Sequence, residues 1–257
     1  MRERFAVQLY TLRNEIEADF PGVLKQLQTM GWAGVQMRVP QAYKPAEAAR
    51  IAKELGIVTA GMHFPIDRLE HDVDGVAAEA ELFGTKDIIC PYLTEDWRNE
   101  EGYRKVKRIL TEAAAKLGPA GYRISYHNHD FEFYTQVDGA SALEYILDPA
   151  GGNPILAEID VYWVKKAGGD PLAFIDRYAG RMPIIHLKDM TADDKRTFAA
   201  IGTGSIDFAP ILSWCVNSGV EWLVVEQDVC PGDPMESVKI SLDNLNKLAD
   251  RLEAGAV

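Results

Sequence analysis

The chain has 257 residues, 47% of them hydrophobic, and a formal net charge of -12. That length supports one large core, the size at which an α/β barrel is commonly a single domain, while the negative charge and the lack of a Lys/Arg cluster interleaved with aromatics argue against a nucleic-acid partner. Cys90, Cys215 and Cys230 show no metal-type spacing, and the chain enters an apolar strand at Phe5 with no basic region and long apolar stretch, so a reduced, cytoplasmic protein without signal peptide or membrane span is expected.

Short apolar runs alternate with longer helical patterns along the chain, the mark of repeated βα units on a parallel sheet. Phe5 to Thr11 predicts a first strand; Leu24, Leu27 and Met30 then predict a helix stopped by Gly31, followed by a strand over Gly34 to Arg38. Ile51 and Leu55 before Gly56 repeat the pattern ahead of a third strand, Val58 to His63, and Asp87 to Tyr92 predicts a fourth. Glu100 to Leu117 places Val106, Ile109, Leu110 and Ala113 on one helical face and ends at Gly118-Pro119. Strands follow over Arg123 to His129, Ile155 to Asp160 and Pro183 to Lys188. Asp207 is placed to cap a helix over Phe208 to Ser218, before a last strand, Trp222 to Gln227, and an amphipathic helix, Ser237 to Leu252. Eight units without a linker or composition shift predict a single-domain (β/α)8 TIM barrel over residues 1–257. An open doubly wound sheet is disfavoured, because no G-x-G-x-x-G follows the first strand.

Glu132, Asp160, His186 and Glu226 fall at or just beyond the C-terminal ends of strands five to eight, where residues distant in sequence converge on one barrel mouth. A lone acidic residue after a strand is more often a helix cap or a solvated group; four such groups on consecutive strands point to a shared divalent ion, for which carboxylate and imidazole are suitable ligands. His186 follows Ile184-Ile185 in an apolar run, and Asp160 and Glu226 also interrupt apolar strands, where a carboxylate needs a cation, donors or protonation. On strand five His127 and His129 share a face. Glu132 is favoured as the ligand because it completes a carboxylate-rich set, with His129 beside it as general base or substrate hydrogen-bonding group; His127 is the competing ligand. His63 and Lys188 are further candidates for substrate contact, with an ion pair from Lys188 to Asp160 or Asp189 as the plainer alternative. Glu158 shares Asp160's face as outer support, and Trp163, Trp32 and Tyr10 offer apolar walls for a sugar face. Gly202-Thr203-Gly204-Ser205 stands where barrels often bind phosphate on backbone amides, although two glycines are more often turn chemistry.

In five segments the chain resembles a known family. They are Val7-Gln8-Leu9-Tyr10-Thr11-Leu12-Arg13, Tyr126-His127-Asn128-His129-Asp130-Phe131-Glu132-Phe133, Glu158-Ile159-Asp160, Ile185-His186-Leu187-Lys188-Asp189 and Ile201-Gly202-Thr203-Gly204. The family is the sugar phosphate isomerase/epimerase group of xylose-isomerase-like barrels, which includes hydroxypyruvate isomerases, ketose 3-epimerases, inosose dehydratases and, more distantly, endonuclease IV. The resemblance covers nearly the whole chain and implies one divalent ion (Mn, Mg, Zn or Co) held by Glu, Asp, His and Glu. Carried over, Asp160, His186 and Glu226 are the ligands of strands six to eight, and Glu132 the fourth by inference from the His-Asn-His branch. The epimerases have a glutamate where His127 stands, and many relatives have a histidine where Trp163 stands; both departures tell against ketose 3-epimerisation. The trinuclear zinc ligands of endonuclease IV have no counterparts that can be placed here.

The resemblance implies a metal-dependent enzyme for a sugar, keto-sugar or related polyol, in which an α-proton is removed by Glu132, His129 or Glu226 to give an enediolate. Return of the proton gives isomerisation or epimerisation. Loss of a β-leaving group gives a dehydratase or lyase on a 3-keto-sugar or inosose-like substrate, the alternative that His127-Asn128-His129 favours. A reading from another class is a barrel that binds a sugar or partner without turnover. A small carbohydrate is the expected partner, and a homo-oligomer is compatible with the sequence.

Overall fold

The structure, a computed structural model, describes residues Met1–Gly255. Eight parallel strands form a closed barrel: β1 (Phe5–Gln8), β2 (Gly34–Met37), β3 (Thr59–His63), β4 (Asp87–Cys90), β5 (Arg123–His127), β6 (Leu156–Asp160), β7 (Ile184–Leu187) and β8 (Trp222–Val225). Closure is made by β8 against β1, with Phe5, Ala6 and Val7 opposite Leu223, Val224 and Val225. Helices flank the ring on the outside: α1 (Arg13–Met30), α2 (Pro45–Glu54), α3 (Ile66–His71), α4 (Val73–Leu82), α5 (Glu100–Leu117), α6 (Ala142–Leu147), α7 (Val161–Lys166), α8 (Pro171–Asp176), α9 (Phe208–Asn217) and α10 (Pro234–Glu253).

The punctuation in the sequence acts as expected at several helix ends. Gly31 leaves α1 at φ 101°, a left-handed conformation that a side chain would strain. Asp207 caps α9 by accepting from Ala209 N at 3.1 Å; a cap that was not expected, Asn99, accepts from Gly102 N at 3.0 Å at the start of α5. The strands differ from expectation mainly at their C-terminal ends: β1, β2, β4, β5, β7 and β8 stop at Gln8, Met37, Cys90, His127, Leu187 and Val225, one to three residues early, while β3, β6 and β7 begin one residue late. At the mouth the chain peels away from the ladder. Leu9–Leu12, for example, becomes a 3-10 turn in which the Gln8 side chain accepts from Tyr10 N.

Alternation along the strands separates two interiors. Outward residues such as Val7, Val35, Ile88, Tyr126, Ile159, Ile185 and Leu223 join the helices in one large apolar core. Inside the barrel, Ala6, Ala60, Ile89, Ile184 and Val224 form a small apolar plug. Its tightness explains Gly61, where a Cβ would lie 2.9 Å from Ile184 Cδ1 and 3.0 Å from Ile89 Cδ1. Toward the mouth, the next inward positions are polar, and these carry the site.

Candidate metal centre

The first polar layer is centred on Glu158, which is fully buried on β6. Its Oε1 lies 2.7 Å from His63 Nε2 and 3.2 Å from both His127 Nδ1 and His186 Nε2, while Oε2 accepts from Gln36 Nε2 at 2.7 Å. Gln36 Oε1 in turn accepts from Gln8 Nε2 at 2.6 Å and lies 2.7 Å from His186 Nε2. Gln8 and Gln36 escaped the sequence reading, although a glutamine between Val35 and Met37 in an apolar strand was a visible signal. The layer settles the imidazole tautomers. With His127 Nδ1–H and His186 Nε2–H directed at acceptors below, His127 Nε2 and His186 Nδ1 remain as the upward-facing nitrogens.

Above them stand Asp160 and Glu226. His186 Nδ1 is 3.0 Å from Glu226 Oε2, and His127 Nε2 is 3.8 Å from Asp160 Oδ2. One ligand atom from each of His127, Asp160, His186 and Glu226 lies within 4.8 Å of the others, and all four residues are buried. Asp160 uses Oδ1 to cap α7 through Tyr162 N at 2.9 Å, so the plain reading as a helix cap holds as well. Its Oδ2 is buried, and the group that faces it is Lys188 Nζ at 3.0 Å. Lys188 is 1% exposed and reaches Glu226 Oε2 at 2.9 Å and Asp228 Oδ2 at 3.1 Å as well, so one ammonium faces three carboxylates.

The electrostatics follow from burial and these pairs. Burial pushes the Asp160 carboxyl up to about 6 even though Lys188 and His186 pull it down. For Glu226 burial also acts upward, but Lys188 and His186 outweigh it and hold the group well below the usual carboxylate range. Burial and the neighbouring His186 lower His127 to about 3, leaving it neutral. Burial would lower His186 too, yet Glu158 and Glu226 overcome it and raise the imidazole to about 10. Two neutral-capable nitrogens and two buried carboxylates, one ligand atom from each within 4.8 Å of the others, fit a borderline divalent cation, which would replace the proton on His186 Nδ1 and share the carboxylates with the Lys188 ammonium.

Glu132 is a correction to the expected ligand set. It is fully buried, but its oxygens accept from Tyr126 Oη at 2.7 Å and His129 N at 2.8 Å. Tyr126 alternates with His127 and faces the outer core, so the 3-10 turn Phe131–Phe133 carries Glu132 behind β5, away from the barrel axis. Burial raises its pKa to about 7. The strand-five place in the cluster is taken by His127.

The remaining candidates fall around the mouth. His129 stacks on Phe131 with centroids 5.2 Å apart, meets Trp163 at 5.1 Å, and leaves Nδ1 without a partner. Trp163 supports that ring and does not line the cavity; Trp32 lies in the outer core. His63, His127, His129, Lys188, Glu226 and Asp228 line a cavity of about 970 Å³ whose outer walls include Tyr10, Arg38, Tyr92 and Trp97. Asp228, two residues past Glu226, was not singled out in the sequence.

The closed barrel and the carboxylate–imidazole cluster at its C-terminal mouth define the class, a TIM barrel with its polar chemistry at the strand ends. The chain belongs to the xylose isomerase-like TIM barrel family, whose model matches residues 24–248, in agreement with the resemblance of its motifs. It is 28% identical to an inosose dehydratase of Geobacillus kaustophilus, over 90% of this chain and 88% of that protein. It is 23% identical to the rhizopine catabolism protein MocC of Rhizobium meliloti, over 88% of this chain and 80% of that protein. A crystal structure of a sugar phosphate isomerase/epimerase from Parabacteroides distasonis superposes with a TM-score of 0.80 at 19% identity, covering 95% of this chain and 94% of the other. None of the described helices is long and apolar enough to cross a membrane.

Proposed function

We propose that the protein is a divalent-metal-dependent enzyme that modifies a keto-sugar or keto-polyol, and that its reaction is elimination of water in the manner of a dehydratase. The observation that carries the choice of reaction is the strand-five substitution. Proton exchange between two faces of a carbon needs a base on each side, and here Glu132 is turned behind β5 while His127 is held in the cluster. Similarity to an inosose dehydratase supports the same choice. The likeness of the fold to isomerase and epimerase barrels keeps isomerisation as the second reading.

His127, Asp160, His186 and Glu226 would hold the ion, which supplies Lewis acidity to a carbonyl oxygen when bound. His129, pressed neutral first by burial and then by His127, stands in the cavity wall as the group that takes the α-proton. Returning that proton to the departing β-hydroxyl as it leaves releases water and leaves His129 neutral again. Lys188 offers its ammonium to negative charge developing on the substrate. Glu226 and Asp228 keep that ammonium charged. The test is to incubate the manganese-loaded protein with a 2-keto-inositol and follow product mass. Loss of one water is expected; an isomer of unchanged mass would move the assignment to the second reading.

A further inference from the structure

Barrels of this plan often bind phosphate on backbone amides in the loops after strands seven and eight. In this chain the corresponding amides are already taken. Gly202 N and Gly204 N donate to Asp189 Oδ2 at 2.9 and 2.8 Å, and Ile206 N and Met190 N donate to Asp189 Oδ1 at 3.1 and 2.7 Å. Asp189 is fully buried, so these charge-assisted bonds stand in for its hydration. The loop is wrapped closely on the carboxylate: a Cβ on Gly204 would lie 2.4 Å from Asp189 Oδ1 and 2.3 Å from Met190 O. A phosphate arriving here would meet a fixed negative charge where its own oxygens would have to sit.

A second observation is independent of the first. The cavity at the mouth runs away from this loop, toward the segments after β1 to β4, and no residue from Asp189 to Ile206 lines it. Its outer walls are Tyr10 and Arg38 on one side and Tyr92 and Trp97 on another.

We infer that Asp189 is a specificity-determining residue: it fills the barrel's anion loop from within, so that the substrate at the mouth is an unphosphorylated keto-polyol. The inference rests on the mouth being a carbohydrate site. Its test is calorimetric titration of the purified protein with inorganic phosphate, myo-inositol and myo-inositol monophosphate. In the wild type, phosphate is expected to show no saturable binding at millimolar concentration, and the monophosphate to bind no tighter than myo-inositol. Asp189→Ser frees the loop amides and is expected to gain phosphate affinity by about tenfold or more, a change of about 1.4 kcal/mol. If that variant does not fold by circular dichroism, the wild-type comparison decides alone. Tighter binding of the monophosphate than of myo-inositol by wild type would overturn the inference, and its loss in Arg38→Gln would assign the phosphate to Arg38. A folded Asp189→Ser without any gain would remove the role given to Asp189. The readout is anion binding, so its failure is separate from failure of the proposed reaction.

Discussion

Glu158 shows how much a residue off the ion can decide. It accepts from both histidines of the cluster and thereby presents His127 Nε2 and His186 Nδ1 upward. Replacement by Gln puts an amide donor where an acceptor is needed, and manganese affinity measured by calorimetry is expected to fall about 10–100-fold. Glu132 gives a pH signature instead. Its folded pKa of about 7 lies above the ordinary 4.5, so the folded state binds the extra proton, and the contribution to stability present below the lower value is lost as pH rises through the upper one. Urea unfolding of wild type should therefore weaken across that window more than Glu132→Gln does; equal slopes would contradict the placement. Asp160, His186 and Glu226 stood out in the sequence because a charged or imidazole side chain inside an apolar strand has few other uses, and the structure brings a ligand atom of each together with one of His127. Glu132 was misplaced because its side depends on the backbone turn at Asn128–Phe131, which spacing from a strand does not encode.

At the scale of elements, α5 was readable to its end residues because eighteen residues carry several helical periods and a clear stop at Gly118-Pro119. The six-residue helices α3, α6, α7 and α8 were not singled out, since fewer than two turns give no measurable periodicity, and neither was α4, whose ten residues bury only Val76 and Ala80. All eight strands were found, but six of their C-terminal ends, those of β1, β2, β4, β5, β7 and β8, were set too late, where side chains still alternate after the ladder has stopped. The stake of α5 is measurable. Leu110 is fully buried against the outer core, and Leu110→Ala is expected to cost about 2–5 kcal/mol in urea unfolding. Asn99→Ala, which removes the cap, is expected to cost about 1 kcal/mol. A loss at Leu110 within that of an exposed site would mean that α5 is not packed as described.

The whole molecule layers its interior: an apolar plug, then the Glu158 network, then the cluster at the mouth. This order lets the site stay assembled without an ion, because Lys188 already faces the three carboxylates. Chelator treatment is accordingly expected to abolish turnover while circular dichroism and the cooperative melt remain; in Lys188→Met the metal-free protein should melt lower, with a loss of up to about 3–5 kcal/mol for carboxylates left without their partner. The central claim is that His127, and not Glu132, completes a divalent-metal centre with Asp160, His186 and Glu226. Its most direct test is the metal content, by plasma mass spectrometry, of wild type, His127→Asn and Glu132→Gln purified side by side without chelator. One divalent ion per chain is expected in wild type and Glu132→Gln, with loss in His127→Asn. A metal-free wild type, or an ion lost with Glu132 and kept without His127, would contradict it.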